Sequence, residues 1–194
     1  MTMQTASDPS AAVDWSKIPP PVDDGAARHL RRMRVPAVPL PATDGNTVDL
    51  ARLRGRTVVY AYPRTGQPGV DNPDGWDMIP GARGCTPQAC SFRDHFAELN
   101  DLGVADVYGL STQSSEYQRE AAQRLLLPFK ILSDARLRLA TALRLPTFAV
   151  DGQTFLKRLT LVIDDAVISH VFYPVFPPDR SAEEVIGWLR GDRM

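Results

Sequence analysis

The sequence lacks the features that mark secreted, membrane-spanning and nucleic-acid-binding proteins. No apolar run approaches the roughly 18 residues that a helix needs to cross a membrane. The N-terminal segment has no basic start followed by an apolar core, as a secretory signal would have. Only two of the 194 residues are cysteine, Cys85 and Cys90. We therefore expect a cytoplasmic protein with no membrane partner, in which a permanent disulfide would be unusual.

An excess of positive charge is also absent. The 22 Lys and Arg residues and 23 Asp and Glu residues give a formal net charge of −1, whereas nucleic-acid-binding domains carry a clustered basic excess. We therefore expect no nucleic-acid partner, and we interpret the short basic run RHLRRMR (28–34) as a solvated linker. Hydrophobic residues make up 43% of the chain and charged residues 23%, which is typical of a soluble globular protein.

The pattern divides the chain into an N-terminal arm and one domain. Residues 1–34 are rich in Pro, Asp, Ala and Ser, which predicts a poorly ordered or surface-wrapping arm. Residues 35–194 have the length of a single domain. Within it, residues 64–84 contain five glycines and three prolines, which predicts a long inserted loop. The large apolar residues of this loop favour packing against the body or a partner: Val70, Trp76, Met78 and Ile79.

Strands and helices alternate along the domain. A hairpin with an Asp44-Gly45 turn comes first. Strands are predicted at 57–63, 105–112, 129–134, 156–164 and 166–175, and helices from Thr86 (with an apolar stripe of Phe92, Phe96 and Leu99), at 115–126, at 136–145 and at 181–190. Ser181 and Glu184 have the spacing of a capping box at the start of the last helix. This order indicates an α/β sandwich around a mixed sheet.

Cys85 and Cys90 lie five positions apart at a predicted helix start. Five helical residues rise about 7.5 Å and turn about 500°, whereas a disulfide needs its Cα atoms within about 7 Å. The two cysteines therefore cannot bond while both lie in an intact helix. The spacing argues against a permanent disulfide, but it suits a bond that is made and broken in a catalytic cycle.

Cys85 has the sequence context of a reactive thiol. Gly84 precedes it, and Pro87 is well tolerated in the first turn of a helix. Free backbone amides and the positive end of the helix dipole would face the sulfur, and such a placement lowers the pKa of a thiol. Cys90 lies a turn and a half deeper and is expected to be less exposed. This asymmetry suggests one attacking and one resolving cysteine.

Three other interpretations of the pair are open. Both cysteines could be core residues without any chemistry. A zinc site needs about four ligands at spacings such as C-x₂₋₄-C, and only His29, His95 and His170 could add to the cysteines, so we expect no metal. A C-x-x-C motif is absent, which disfavours a general disulfide oxidoreductase of the thioredoxin type.

Over residues 36–190 the sequence resembles the Q class of peroxiredoxins, also called bacterioferritin-comigratory-protein-like. The matching motifs follow one another in the family's order: YAYP (60–63), GCTPQACSFRD (84–94), the segment that begins with GLSTQ at Gly109, and KRLTLVIDDAVISHVFYPV (157–175). The resemblance implies a thioredoxin-like fold with an N-terminal β-hairpin, and no metal, haem or flavin cofactor.

The resemblance also implies roles for individual residues. It makes Cys85 the peroxidatic cysteine, and Cys90 matches the resolving cysteine that some members place five residues later. Arg158 matches the arginine that contacts the peroxide and the sulfur, and Pro63 matches the proline that shields the active-site cysteine. From the residues alone, an exposed strand-edge arginine with an ion-pair partner is the favoured interpretation of Arg158.

One part of the family pattern is missing. The family motif P-x-x-x-T-x-x-C has a threonine three residues before the cysteine, where this chain has Ala82. Pro63 and Cys85 are 22 positions apart instead of seven, so about fifteen residues are inserted. Thr65 could return to the sulfur if the insertion folds outward, and we rank it ahead of Thr86 as the replacement.

The function that the resemblance implies is a thioredoxin-dependent peroxidase. Hydrogen peroxide or an organic hydroperoxide would oxidise Cys85 to a sulfenic acid, which Cys90 would resolve as an intramolecular disulfide. The expected partners are the peroxide and a thioredoxin-like reductant, and a monomer is favoured. Two alternatives use the same fold: a thiol–disulfide oxidoreductase, or a redox-sensing binding protein switched by the Cys85–Cys90 bond.

Overall fold

The computed structural model describes residues 13–191 of the chain. The strands of this part are β1 (Pro39–Pro41), β2 (Thr47–Asp49), β3 (Arg56–Ala61), β4 (Val104–Ser111), β5 (Lys130–Ser133), β6 (Thr147–Val150), β7 (Gln153–Leu156), β8 (Leu159–Asp164) and β9 (Val167–Phe172). The helices are α1 (Cys85–Asp94), α2 (Phe96–Asp101), α3 (Ser115–Arg124), α4 (Arg138–Leu143) and α5 (Ser181–Arg190). None of these helices is long and apolar enough to cross a membrane.

A mixed sheet with the strand order β5-β4-β3-β8-β9 organises the fold and confirms the predicted α/β class. β3 pairs in parallel with β4, and β4 with β5, while β8 runs antiparallel to both β3 and β9. Parallel neighbours need a crossover connection, and helices α1 and α2 link β3 to β4. Every residue from Thr57 to Ala61 is buried, as expected of a β-branched central strand that is covered on both faces.

Alternate residues of β3 face two separate cores, because successive side chains of a strand point to opposite faces. Val59 and Ala61 belong to the core that includes residues of α4 and of the predicted hairpin β1–β2. Val58 and Tyr60 belong to the core that includes residues of α1, α2 and α5. Helix α1 therefore packs directly on the central strand.

The predicted apolar stripe of Phe92, Phe96 and Leu99 spans two helices, because the helix is interrupted at His95, between α1 and α2. Phe92 and Leu99 are completely buried. Phe92 stacks on Tyr60 of β3 with 4.6 Å between the ring centroids. This stacking holds α1, the helix that begins at Cys85, against the face of the sheet.

The basic run 28–34 is part of the folded body, so its interpretation as a solvated linker is wrong. Leu30 is completely buried in the core. The His29 ring nitrogen Nε2 lies 2.9 Å from the carbonyl oxygen of Leu143, within hydrogen-bond distance. The arginines of the run are exposed, so its charge belongs to the outer side of a packed segment.

Residues 13–27 of the predicted arm lie along the surface of the domain, whereas its residues 1–12 lie outside the described residues. Asp24 accepts hydrogen bonds from Nζ of Lys157 at 2.6 Å and from the hydroxyl of Tyr173 at 2.8 Å. The bond from Lys157, with the one from Tyr173, holds the pKa of Asp24 well below its usual range. These contacts tie the arm to the chain on either side of β8–β9, and the division of the chain at residue 35 stays a prediction.

The hairpin β6–β7 was not predicted, and the predicted strand 156–164 runs from the last residue of β7 through a two-residue link into β8. The turn of the hairpin is Asp151-Gly152, with φ angles of 48° and 74°. A two-residue hairpin turn of type I′ requires a positive φ angle at both of its residues. As a result Arg158 lies in the short link between β7 and β8, just before β8 enters the central sheet.

The inserted loop 64–84 is anchored on this unpredicted hairpin. Trp76 is 3% exposed, and its ring lies 5.8 Å from that of Phe148 and 5.0 Å from that of Phe155, centroid to centroid. Trp76 and Ile79 pack against the body, as expected, whereas Val70 and Met78 are exposed, so packing of these two against a partner stays a prediction.

Gly84, immediately before α1, lies where a side chain does not fit. Its φ is +96°, a conformation that glycine adopts easily and other residues rarely do. A Cβ atom there would lie 2.2 Å from Cγ of Pro178 and 2.7 Å from Cη2 of Trp15. The arm and the turn before α5 therefore close over the start of α1, and this approach depends on the glycine.

We predict that Gly84→Ala lowers the free energy of unfolding by about 3 kcal/mol, because left-handed strain of about 1–2 kcal/mol adds to overpacking of about 1–3 kcal/mol. Gly45→Ala is the matched control, since Gly45 has φ +87° and no atom within 4 Å of its built Cβ. The control should therefore lose only the strain. Urea unfolding of both variants measures the difference, and equal losses would show that space at Gly84 is not limiting.

Candidate active site

Cys85 is the first residue of α1, as predicted, and its side chain is 4% exposed. Nη2 of Arg158 lies 3.2 Å from its sulfur and donates a hydrogen bond to it. The sulfur also lies 3.7 Å from the carbonyl oxygen of Ala82, to which the thiol donates when it is protonated. The structure therefore brings together the two residues that are 73 positions apart in the chain and that the sequence nominated.

Arg158 is a buried cation whose protein acceptors are neutral. It is 3% exposed, so its interpretation as an exposed strand-edge arginine is wrong. Nη2 also donates to the carbonyl oxygens of Arg83 at 2.9 Å and Gly81 at 3.3 Å, and Nη1 donates to Oε1 of Gln88. A buried charge is costly unless an opposite charge accompanies it. A thiolate at Cys85 is the counter-charge that this geometry accommodates.

Gln88 is a site residue that the sequence analysis missed. It lies three residues after Cys85 and therefore on the same face of the helix, and it is completely buried. Its Oε1 accepts from Arg158, and its Nε2 donates to Oγ of Ser181 at 3.2 Å. Its helical spacing from Cys85 was the signal that could have found it. Gln88 thus connects the guanidinium to α5.

Ser181 does not cap α5, so the predicted capping box is wrong. It is the first helical residue, and the capping position belongs to Arg180, whose side chain makes no capping bond. The Ser181 hydroxyl instead lies 3.2 Å from that of Thr160 on β8 and accepts from Gln88. Ser181 is 1% exposed, and its hydroxyl is used in the buried network with Gln88 and Thr160.

Cys90 is the more exposed cysteine of the pair, which reverses the prediction. Both thiols are free, Cys85 buried and Cys90 partly exposed. The start of α1 is covered by Trp15 and Pro178 at Gly84, and this cover comes from parts of the chain whose position the local sequence does not reveal. Partial burial raises the pKa of the Cys90 thiol. Both cysteines lie in the continuous helix Cys85–Asp94, the arrangement in which they cannot form a disulfide.

Of the other nominated residues, Pro63 is buried just after β3, and Thr65 is 2% exposed. The Thr65 hydroxyl donates to Oε1 of Gln113 at 3.2 Å, and no hydrogen bond among residues 13–191 joins it to the sulfur. Thr86, partly buried, lies beside Cys85 at the mouth of the site. The structure thus directs the Thr65 hydroxyl to Gln113 rather than to Cys85.

A cavity of about 140 Å³ opens beside Cys85. The inserted loop forms one wall, which includes Arg64, Trp76 and Arg83, and the first turn of α1 forms the other. Within residues 13–191, no group of three or more His, Cys, Asp and Glu side chains is arranged to hold a metal ion. The groups that the site offers for chemistry are the Cys85 thiol, the Arg158 guanidinium and the free amides at the start of α1.

Comparisons with known proteins agree with this geometry. The Redoxin family model matches residues 31–186. Peroxiredoxin Bcp of Escherichia coli is 34% identical over 160 residues, which cover 80% of this chain and 92% of that protein. The chloroplastic peroxiredoxin Q of Sedum lineare is 31% identical over 157 residues, which cover 80% of this chain and 75% of that protein.

Solved structures show the same fold. Peroxidoxin BcpB from Mycobacterium tuberculosis superposes with a TM-score of 0.67 at 26% identity, covering 84% of this chain and 98% of that one. Peroxiredoxin Q of Xanthomonas campestris superposes with a TM-score of 0.64 at 20% identity, covering 82% and 96%, and it supports the fold alone. The expected thioredoxin-like fold is confirmed. The chain belongs to the Redoxin family and, within it, to the peroxiredoxins related to Bcp and peroxiredoxin Q.

Proposed function

We propose that this peroxiredoxin is a thiol-dependent peroxidase in which Cys85 reduces hydrogen peroxide or an organic hydroperoxide. The observation that carries the proposal is the 3.2 Å contact between Nη2 of Arg158 and the Cys85 sulfur, both buried. A fixed cation favours the thiolate over the thiol. The helix start at Cys85 acts in the same direction, because its unpaired amides and the helix dipole favour negative charge.

In the first step the thiolate attacks one peroxide oxygen. A sulfur–oxygen bond forms and the O–O bond breaks, and its electron pair leaves with the other oxygen, which takes up a proton and departs as water or an alcohol. Cys85 is oxidised to a sulfenic acid as the peroxide is reduced. Negative charge moves from sulfur to the departing oxygen, and Arg158 with the helix-start amides can stabilise it as preorganised donors.

In the second step Cys90 attacks the sulfenic sulfur. A Cys85–Cys90 disulfide forms and water is released. An external dithiol of the thioredoxin type then reduces the disulfide by exchange and is itself oxidised. Because α1 holds the two Cα atoms too far apart to bond, its first turns have to unwind between the two steps.

The remaining assignments belong to the same proposal. Gln88 is a positioning residue, since it holds the Arg158 guanidinium through Nη1 and is itself held by Ser181. Pro63 shields Cys85 from water, and a hydroxyl from Thr65 or Thr86 serves the site only if it moves to the sulfur. A cytoplasmic location and a monomeric state complete the proposal.

We predict that Cys85→Ser abolishes peroxide consumption with a dithiol reductant, because a serine hydroxyl stays protonated at neutral pH. Rapid multiple turnover by the wild type separates a peroxidase from a disulfide oxidoreductase and from a redox-sensing binding protein. The measurement is the steady-state rate with hydrogen peroxide and thioredoxin. Substantial activity in Cys85→Ser would remove Cys85 from its role.

We predict that Arg158→Met slows the peroxide step by about a hundredfold or more, because it removes both the thiolate partner and a transition-state donor. The measurement is the single-turnover rate of Cys85 oxidation together with a thiolate titration by ultraviolet absorbance. Arg52→Met is the control, since Arg52 is an exposed arginine paired with Asp49. A wild-type rate and titration in Arg158→Met would leave Arg158 with a structural role only.

We predict that disulfide formation unwinds the start of α1. Amide hydrogens of residues 88–94, which follow the free amides of the first turn, should be protected in the reduced protein and should lose protection after one equivalent of peroxide, while α3 and α5 keep theirs. Cys90→Ser treated in the same way is the control, because its Cys85 is oxidised without forming the bond. A Cys85–Cys90 disulfide detected by mass with unchanged protection of residues 88–94 would show that the helix does not need to unwind.

A further inference from the structure

The cavity beside Cys85 is bordered by positive charge and by no carboxylate. Two arginines of the inserted loop, Arg64 and Arg83, line it, and none of its lining residues is Asp or Glu. The two arginines differ in their partners. Arg83 lies 3.6 Å from a carboxylate oxygen of Asp77, so its charge is already paired.

Arg64 has no carboxylate partner in the described part of the chain. Its Nη2 donates to the neutral hydroxyl of Tyr117 at 3.3 Å. Its guanidinium carbon lies 5.8 Å from the centroid of the Trp76 ring, within the range of a cation–π contact. Arg64 is therefore a half-buried cation, held in place by neutral groups, that can still pair with an anion.

Hydrogen bonds fix the backbone that carries Arg64. Oε1 of Gln113 accepts from the Thr65 backbone N–H at 2.9 Å, and Nε2 of Gln113 donates to the Thr65 carbonyl at 3.1 Å. Nη2 of Arg124 donates to the carbonyl of Gly66 at 3.1 Å. A charge that is preorganised in this way loses less entropy when it binds a ligand.

The cavity is also larger than hydrogen peroxide requires. Its volume of about 140 Å³ is roughly ten times the 10–15 Å³ that admits one water molecule. Several more non-hydrogen atoms can therefore lie between the Cys85 sulfur and the Arg64 side of the cavity.

We propose that Arg64 is a specificity-determining residue that makes the site prefer small organic hydroperoxides carrying a carboxylate. The inference rests on the proposed function and deepens it by naming a substrate class. The carboxylate pairs with Arg64 and takes no part in the redox step, in which the hydroperoxide O–O bond breaks on the Cys85 sulfur as described above.

The experiment compares two probes of equal size, γ-hydroperoxy-γ-methylvalerate and its primary amide. The measured quantity is the second-order rate constant for Cys85 oxidation in the full-length protein. The wild type should react about fivefold faster with the carboxylate at low salt, as expected of one partly exposed ion pair. The ratio should fall towards one at about 1 M salt, where the screening length is about 3 Å.

Arg64→Gln should abolish the preference and Arg64→Lys should retain part of it. Arg52→Gln is the matched control, because it removes an exposed arginine that does not line the cavity, and it should keep the full ratio. If Arg64→Gln disturbs the fold, seen as a lower midpoint of urea unfolding followed by far-ultraviolet circular dichroism, then the rate ratio of Arg64→Lys and the salt dependence of the wild-type ratio test the inference instead.

Either of two results would overturn the inference: a wild-type ratio of one or less, or an unchanged ratio in a folded Arg64→Gln variant. Hydrogen peroxide is included as a third probe so that the two proposals can fail separately. Rapid oxidation by hydrogen peroxide and by the amide, without any preference for the carboxylate, refutes the inference and leaves the peroxidase intact. Failure of Cys85 to react with all three probes refutes both.

Discussion

The contact between the Arg158 guanidinium and the Cys85 sulfur is the interaction on which the arrangement of the active site depends. A guanidinium that is 3% exposed and surrounded by neutral oxygens is costly to bury. Its hydrogen bonds reach the end of the inserted loop through Arg83 and helix α1 through Gln88. The Arg158 guanidinium therefore binds the separate parts of the chain that form the site. Among its acceptors, the Cys85 sulfur is the one that can become an anion.

The position of the sulfur depends in turn on crowding at Gly84. The arm and the turn before α5 meet over this glycine, as the clash of a built Cβ with Trp15 and Pro178 shows. This cover buries Cys85 and leaves Cys90 partly exposed. A buried attacking sulfur is separated from bulk water, while a partly exposed resolving thiol can move. The two cysteines thus have different environments although they share one helix.

Local pattern was sufficient for the elements and for the nomination of the cysteine site, but not for its surroundings. The β-branched run at 57–61 and the Gly84-Cys85 helix start are encoded locally. Asp151-Gly152 carries a strong hairpin signal, and β6–β7 could have been predicted from it. The burial of Leu30, the cover over Gly84 and the partners of Arg158 arise from contacts between distant segments. Nothing in the neighbouring sequence of those residues encodes them, and for that reason the exposures of the two cysteines were predicted in the wrong order.

The two steps of the proposed cycle need different conformations at the start of α1, and they follow one another in time. The attack needs Cys85 held at 3.2 Å from Arg158, whereas the disulfide needs the same turn to open. In the proposed cycle the attacking thiolate and the buried Arg158 guanidinium attract each other. Once the sulfur becomes a sulfenic acid, its negative charge is gone and that attraction is lost. The contacts that do not depend on the charge of the sulfur stay in place: the packing at Gly84, the hydrogen bond from Gln88 N–H to the Gly84 carbonyl at 3.0 Å, and the hydrogen bonds from Arg158 to Gln88 and Arg83. In the proposed cycle, oxidation of Cys85 therefore weakens one of the contacts at the helix start, and formation of the disulfide opens the turn.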